Sequence, residues 1–356
     1  MDTVKDMLDE SESSESDINI GLEIDLYVKN KSSYLYAAKD LFIHSIIFSG
    51  GIYLLWFFKY SMMNLVTIPF MSLMTIRTFL IFHDCCHNSY TPNKTLNYIL
   101  SHITGTFVIT SPNWFLGHHT HHITNGHIEN DHHYLFNETV PLTKRKFLLK
   151  SKKEQQKYMI LKKPFVFFGI VPVLYFLITQ RYVFALKKYK YPSVYKQSLF
   201  QIIMVHIINN VLSAMYLYQL YQYEILPHFF AFLSLGCSLA FMLFHNQHTF
   251  NPPYVVKKWS QRDSGLKGSS FIQIPWFLKY FFMGIEYHHI HHMYSHLPGY
   301  NLQKYHDKYE NDYGFNIIKL SLRECYNNLW LVLYDEDNNK YITFDELRQE
   351  SMIKYD

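Results

Sequence analysis

The stretch LFIHSIIFSGGIYLLWFF, residues 41–58, contains no charged side chain and is long enough to cross the hydrocarbon core of a bilayer as a helix. After a break at residues 59–61, a second run, MMNLVTIPFMSLMTIRTFLIF at residues 62–82, contains a single charge, Arg77. A long basic side chain near the end of a span can extend to the interface, and we expect this of Arg77. The two runs predict a transmembrane helical hairpin.

Two further apolar runs lie in the second half of the chain. Residues 197–223 and 225–256 carry no charged side chain, with Glu224 between them, and each can hold one span. Two weaker runs lie earlier: residues 95–110 are more polar, and residues 164–180 are short and contain two prolines. The sequence therefore predicts a second hairpin and two membrane-associated segments.

The charge of the chain is unevenly spread. Charged residues make up 17% of the sequence and the formal net charge is +4, yet residues 141–196 contain fourteen Lys or Arg and one acid, Glu154. Such a block is typical either of a nucleic-acid-binding patch or of the cytoplasmic face of a membrane protein. Its position between apolar spans favours the membrane protein, and we expect no nucleic-acid partner.

The ends of the chain and the cysteines limit the domain organisation. Residues 1–35 are acidic and serine-rich and predict a disordered tail, residues 36–345 form one membrane domain, and residues 346–356 form a C-terminal tail. Two of the four cysteines, Cys85 and Cys86, are sequence neighbours, which does not resemble a disulfide framework and fits a reducing compartment.

Histidines are concentrated in four short segments: HDCCH at residues 83–87, HHTHH at 118–122, HNQH at 245–248 and HHIHH at 288–292. Within a helix, residues at i, i+3 and i+4 share one face, so each pentapeptide can present two or three imidazoles to a common centre. With one histidine from the HNQH segment, this spacing gives nine candidate metal ligands: His83, His87, His118, His121, His122, His248, His288, His291 and His292.

Nine imidazoles exceed what one metal ion can use, whereas two ions could take four or five each. Imidazole suits Fe, Zn, Cu or Ni, so the ligand type does not name the metal. His119 and His289 lie off the shared helical faces, and we expect them to face solvent or to support a ligand. His245 is either a tenth ligand or a hydrogen-bonding partner outside the metal shell.

A shared metal site constrains the topology, because all the clusters must lie on one side of the membrane. An even number of crossings must then separate the first cluster from the last, so residues 164–180 are predicted not to cross. We expect an all-α integral membrane protein with four transmembrane helices in two hairpins, plus interfacial helices and a cytosolic histidine-box cap. The histidine boxes, the basic block and both termini then lie on the cytosolic side, as the positive-inside rule expects.

The histidine segments and their flanks resemble those of the membrane fatty acid desaturases. FHDCCHNSY is similar to the first histidine box of that family, HHTHHITNG to the second, and FHNQHTF to the end of its last span. Residues 266–306, LKGSSFIQIPWFLKYFFMGIEYHHIHHMYSHLPGYNLQKYH, resemble the third-box region of bacterial-type acyl-lipid desaturases. The similarity extends from about residue 41 to about residue 344.

The resemblance implies two non-haem irons, bound almost only by histidine on the cytosolic side of a four-span bundle. It assigns the nine candidate ligands above to iron. Some relatives hold one iron through a water on an Asn one turn before the residue that matches His248. Here that position is Phe244, and Asn246 is out of phase with it.

The implied reaction is O2-dependent dehydrogenation of an acyl chain, linked to lipid or to CoA, to give a cis double bond. Alkane C–H bonds are not acidic, so the oxidant must come from O2 and a redox metal, which excludes zinc for this step. We see no flavin, haem or iron–sulfur motif and expect a separate electron donor, ferredoxin or cytochrome b5. Asp84 and Glu286 could orient ligand imidazoles, and the aromatic-rich spans would supply an apolar acyl tunnel.

Two other functions remain open from the sequence. An acyl hydroxylase, or another histidine-box oxygenase such as a carotenoid ketolase, would use the same site. A non-catalytic metal-binding membrane protein would need polar residues along a path through the spans, and His206, Asn209 and Asn210 are thin support for that. The acidic residues 335–346 have the spacing of a calcium loop, but its glycine position is Lys340, and we interpret the segment as a turn between two strands.

Overall fold

The structure is a computed structural model, and it describes residues 31–124, 141–178, 198–248, 261–313 and 317–353. Residues 1–30, which make up most of the predicted N-terminal tail, lie outside these ranges. Four helices are long and apolar enough to span a membrane: α1 (Tyr34–Phe57), α2 (Asn64–Cys86), α8 (Leu199–Gln222) and α9 (Leu226–His248). They are the four predicted spans, so the all-α membrane fold with two hairpins is confirmed.

Shorter helices and strands complete the described part of the chain. The helices are α3 (Lys94–Phe107), α4 (Trp114–Thr124), α5 (Lys144–Leu148), α6 (Lys152–Leu161), α7 (Val171–Leu177), α10 (Gln261–Gly268), α11 (Lys279–Phe282), α12 (His288–Met293), α13 (Gly299–Tyr313), α14 (Leu322–Asn327) and α15 (Phe344–Ile353). A π-helix (Phe165–Ile170) and two 3-10 turns (Trp276–Leu278 and Asn328–Trp330) interrupt them. The strands are β1 (Leu142–Thr143), β2 (Phe271–Ile272), β3 (Lys319–Leu320), β4 (Leu333–Asp335) and β5 (Lys340–Ile342).

Helix α2 lies at the centre of the bundle and packs against α1, α3 and α9. Most of its residues from Met71 to Cys85 are buried. Helix α1 instead buries one stripe with helical spacing, consisting of Ala37, His44, Phe48, Gly51 and Leu55. The other faces of α1 and α8 expose large apolar side chains, such as Phe42 and Phe200. These faces are suited to contact with lipid.

Residues 165–177, the helical part of the weak run that the structure describes, follow a sharp bend. Helix α6 and the π-helix that continues into α7 meet at an angle of 62°. Counted as one bent span, the pair would raise the number of crossings to five. Helix α7 has only seven residues and packs with the π-helix against α9. The bend, next to Pro164, fits the predicted segment that enters the bundle without crossing it.

Arg77 does not extend to the interface, so that expectation was wrong. Its side chain is buried, forms an ion pair with Asp40 on α1, and donates a hydrogen bond to the carbonyl of Tyr280. Its guanidinium lies 4.0 Å from the centre of the Tyr280 ring. Partners inside the protein thus replace the water that the charge would otherwise seek.

The C-terminal residues pack beside the basic segment. Strands β1, β4 and β5 form one sheet, in which β1 is parallel and β5 antiparallel to β4. The β4–β5 hairpin confirms the interpretation of the acidic segment as a turn between strands. Asp335 is fully buried and accepts hydrogen bonds from the backbone of Asp337 and from the side chains of Asn338 and Lys144.

Candidate metal centre

Each histidine segment lies at the end of a helix or on a short one. His83 is in the last turn of α2 and His87 immediately follows that helix. His248 is the last residue of α9. The second and third boxes lie on α4 and α12. The first box therefore lies at the end of a membrane span and not on a separate short helix.

The structure brings all nine candidate ligands together, and it divides them into two groups. Within each group, one ring nitrogen of every histidine lies within 4.8 Å of those of the others. All nine side chains are buried. The first group is His83, His87, His118, His122 and His291, and the second is His121, His248, His288 and His292.

The distances between ring nitrogens test whether a metal fits. The Nε2 atoms of His83 and His122 each lie 3.0 Å from Nε2 of His118. In the second group, Nε2 of His248 lies 3.0 Å from that of His121 and 2.7 Å from that of His288. Neighbouring nitrogens of an octahedral shell with metal–nitrogen bonds of about 2.1 Å are about 3 Å apart. The donor sets therefore fit one transition-metal ion each.

Electrostatics also favour metal binding. Burial, and then the neighbouring imidazoles, hold the pKa values of His118, His122, His288, His291 and His292 well below the usual value. Neutral imidazole is the form that binds a metal, so binding needs little proton release. The Nε2 atom of His87 is buried and has no hydrogen-bond partner among the described residues, which leaves it available as a donor atom.

Asp84 supports the first group directly. Its Oδ1 lies 3.2 Å from Nδ1 of His83, while its Oδ2 accepts a 2.6 Å hydrogen bond from the backbone N–H of Gly299. The chain at Gly299 approaches so closely that a Cβ there would lie 3.2 Å from Asp84 Oδ2 and 2.9 Å from Met283 Cε. A carboxylate on Nδ1 fixes that nitrogen as the protonated one and leaves Nε2 for the metal.

Glu286 and His245 lie outside both groups, so neither is a candidate ligand here. Glu286 is buried, and Oε2 has no hydrogen-bond partner among the residues described. Burial raises the pKa of Glu286 to about 7. His245 is in neither group, and its ring packs against those of Phe167 and Phe168 at 5.7 and 5.1 Å.

Some neighbours of the site were missed at the sequence level. Nδ1 of His296 lies 2.9 Å from the carbonyl oxygen of His87, a contact between segments about two hundred residues apart. His289 is buried rather than solvent-facing, and its Nε2 lies 2.9 Å from Nδ1 of His306. Helical spacing had identified His289 as off the metal face, but nothing in the sequence singled out its partner.

An apolar cavity adjoins both groups. Four of the histidines, His83, His118, His121 and His288, form part of its wall. The rest is mainly aromatic and aliphatic and comes from Ile76, Phe79, Leu80, Trp114, Val171, Tyr175, Phe176, Ala240, Phe241, Leu243, Phe244 and Ile285, with Gln247 as the one amide. The cavity thus places an apolar ligand directly beside the candidate metal positions.

Phe244 and Asn246 have the orientations that their helical phase predicts. The Phe244 ring lies 4.9 Å from that of His248 and 5.2 Å from that of His121. Asn246 turns away and donates hydrogen bonds to the carbonyls of Met242 and Cys325. A phenyl ring thus stands beside the second group, at the position where some desaturases have an Asn.

Comparison with known proteins agrees with this geometry. The family model described as fatty acid desaturase matches residues 60–321. A fatty acid desaturase of Bacillus subtilis (strain 168) is 28% identical over 304 residues, which cover 83% of each chain.

Plant relatives match over shorter stretches. An acyl-lipid omega-3 desaturase (cytochrome b5) of the endoplasmic reticulum from Arabidopsis thaliana is 37% identical over 68 residues, 19% of this chain and 16% of that one. An sn-2 acyl-lipid omega-3 desaturase (ferredoxin), chloroplastic, from Helianthus annuus is 34% identical over 70 residues, 19% of this chain and 15% of that one.

Proposed function

This chain belongs to the fatty acid desaturase family, and we propose that it introduces a cis double bond into an acyl chain at a site that holds two non-haem irons. The observation that supports this most strongly is the convergence of nine buried histidines, in groups of five and four, beside an apolar cavity whose wall includes a histidine of each group. Oxidation of a hydrocarbon at a metal needs both a set of metal ligands and an apolar space beside them, and these residues provide both.

The two groups would each hold one iron. His83, His87, His118, His122 and His291 would bind the first, and His121, His248, His288 and His292 the second. Iron supplies the redox chemistry with O2 that unactivated C–H bonds require and that zinc lacks. Asp84 keeps the Nδ1 proton of His83 in place, so that its Nε2 faces the metal position.

In the overall reaction, two adjacent methylenes each lose one hydrogen. These two hydrogens combine with O2, two electrons and two protons to give two waters. The protein must hold the two methylenes beside the histidines and exclude bulk water. The cavity supplies this through walls from α2, α4, α7 and α9, with Trp114 stacked on His118 at 4.4 Å.

The substrate and the electron donor are proposed at the level of class. An acyl chain on a membrane lipid or on CoA would fill the apolar cavity. Relatives are named for cytochrome b5 or ferredoxin, and a donor of one of these two types would deliver the electrons. Exposed lysines on α6, Lys152, Lys153 and Lys157, would attract an acidic carrier. The histidine boxes, the basic segment and both termini would lie on the cytosolic side.

The test is a product analysis. The full chain and its His291→Ala variant would be expressed, with a matched electron donor, in a host with a simple lipid profile. Gas chromatography–mass spectrometry of the fatty acid methyl esters is expected to reveal a new unsaturated species only with the unmodified chain. Iron content per chain, measured on both purified proteins, is expected to be about two for the unmodified chain and lower for the variant.

Other outcomes would point elsewhere. A hydroxylated product would assign the same site to an acyl hydroxylase or a related oxygenase. If the protein is folded and iron-loaded and has a working donor but yields no new lipid, acyl desaturation is wrong. A metal content of zinc alone would favour the non-catalytic metal-binding protein.

A further inference from the structure

A second, smaller cavity lies beyond the one that adjoins the histidines. Its wall includes Leu233, Gly236 and Cys237 of α9. The two cavities share four of their lining residues: Ile76, Phe79, Phe176 and Ala240. These four therefore form a partition between an outer cavity at the metal groups and an inner cavity.

The aromatic part of this partition is a packed pair. The rings of Phe79 on α2 and Phe176 on α7 lie edge to face, with centroids 5.5 Å apart and planes inclined at 76°. The Phe79 ring also packs against the rings of Trp114 and Phe82, with centroid distances of 5.2 and 5.7 Å. Edge-to-face contact is a favoured geometry for aromatic rings, so the pair closes the passage in a stable arrangement.

Helix geometry gives the depth of the two cavities. Phe79 precedes His83 by four residues, about 6 Å along α2 at 1.5 Å per residue. On α9, Ala240 of the partition precedes His248 by eight residues, about 12 Å, and Gly236 of the inner cavity precedes it by twelve, about 18 Å. The partition thus lies about 6 to 12 Å from the metal groups along the helices, and the inner cavity extends about one helical turn beyond it.

We infer that the Phe79–Phe176 pair is the floor of the acyl site, against which the methyl end of the chain rests while the inner cavity stays unused. This inference rests on the proposed function. The pair then limits the number of methylenes that fit between the oxidised bond and the methyl end. A longer chain has to displace a ring that is packed on several sides, which dense protein interiors resist.

The experiment removes one ring of the floor and measures the longest chain that is desaturated. Host cells that express the full enzyme or its Phe176→Ala variant receive a series of saturated fatty acids of increasing length, and product double bonds are located by mass spectrometry. Opening the inner cavity is expected to add at least two methylenes on the methyl side. For a chain two methylenes longer than the wild-type limit, the variant should make roughly ten times more product than the wild type. This is the factor expected when two more methylenes are buried.

Two matched variants distinguish the removal of the floor from a general widening of the cavities. Leu243 lines only the outer cavity, so Leu243→Ala should not shift the length limit, whatever its effect on yield. Cys237 lines only the inner cavity. Cys237→Leu should therefore leave the wild-type limit where it is, but should reverse the gain when combined with Phe176→Ala.

Two results would overturn the inference. One is an unchanged length limit in a Phe176→Ala enzyme that retains its iron and still makes the wild-type product. The other is a shortened limit with Cys237→Leu alone, because the inner cavity would then already hold substrate. If Phe176→Ala does not accumulate, Phe176→Leu carries the same expectation. Absence of any unsaturated product from the wild type would instead count against the proposed function.

Discussion

At the scale of single residues, Asp84 and Glu286 have similar positions in the sequence but different contacts in the fold. Both are close in sequence to a candidate ligand, and both are buried. Only Asp84 contacts an imidazole, and it does so while accepting a hydrogen bond from Gly299. Its two oxygens therefore face two donors.

Asp84→Asn is expected to weaken iron binding by roughly 10- to 100-fold, the usual effect of losing an outer partner of a ligand. The amide has only one oxygen, so its NH2 group must face either His83 or Gly299, both of which donate. Iron retention during titration with a chelator, followed on the purified protein, measures the change.

Glu286→Gln is the matched control. Because no described contact joins Glu286 to a ligand imidazole, this variant should hold iron as the unmodified chain does. Equal iron loss from both variants, or none from Asp84→Asn, would show that the hydrogen bond to His83 does not support the site.

At the scale of secondary-structure elements, Lys144 joins the basic segment to the C-terminal hairpin. It is the first residue of α5 and contacts both Asp335 on β4 and Glu350 on α15. Hydrogen bonds from Asn338 and Lys144 outweigh the effect of burial and lower the pKa of Asp335 to about 2. Asp335 is therefore a buried carboxylate whose charge is balanced by one lysine.

Lys144→Met should destabilise the hairpin by about 3 kcal/mol, because it leaves Asp335 charged and without its cation. Thermal unfolding in detergent, or faster proteolysis of the C-terminal segment, would measure the loss. The double variant Lys144→Met/Asp335→Asn should recover part of it. A stability equal to that of the unmodified chain in the single variant would contradict this account.

At the scale of the whole molecule, the metal groups link elements that are distant in sequence. The first group joins α2, α4 and α12, and the second joins α4, α9 and α12. An ion bound there binds the folded chain and not the unfolded one, so it stabilises the fold by mass action.

Removal of metal by a chelator should therefore lower the midpoint of thermal unfolding. A free ion at a thousand times its dissociation constant contributes about 4 kcal/mol. Zinc added back should restore the thermal midpoint without restoring desaturation, because zinc lacks redox chemistry. Iron should restore both. A thermal midpoint that is insensitive to metal would argue against two ions that bridge the bundle.

The sequence by itself determined the four spans and the nine candidate ligands, and it predicts that residues 164–180 do not cross. These are properties of local pattern: a run of apolar residues, a helical spacing of histidines, and a count of crossings between them. The inference that Asn246 faces away also needed only helical phase.

The tertiary structure alone decided how these parts meet. The division of the histidines into five and four, the choice of Asp84 over Glu286, the pairing of Arg77 with Asp40, and the Phe79–Phe176 partition each join elements that are distant in sequence. Helical periodicity fixes which side of an element a residue faces. Which element packs opposite that side depends on the packing of the whole bundle, and no local pattern encodes it.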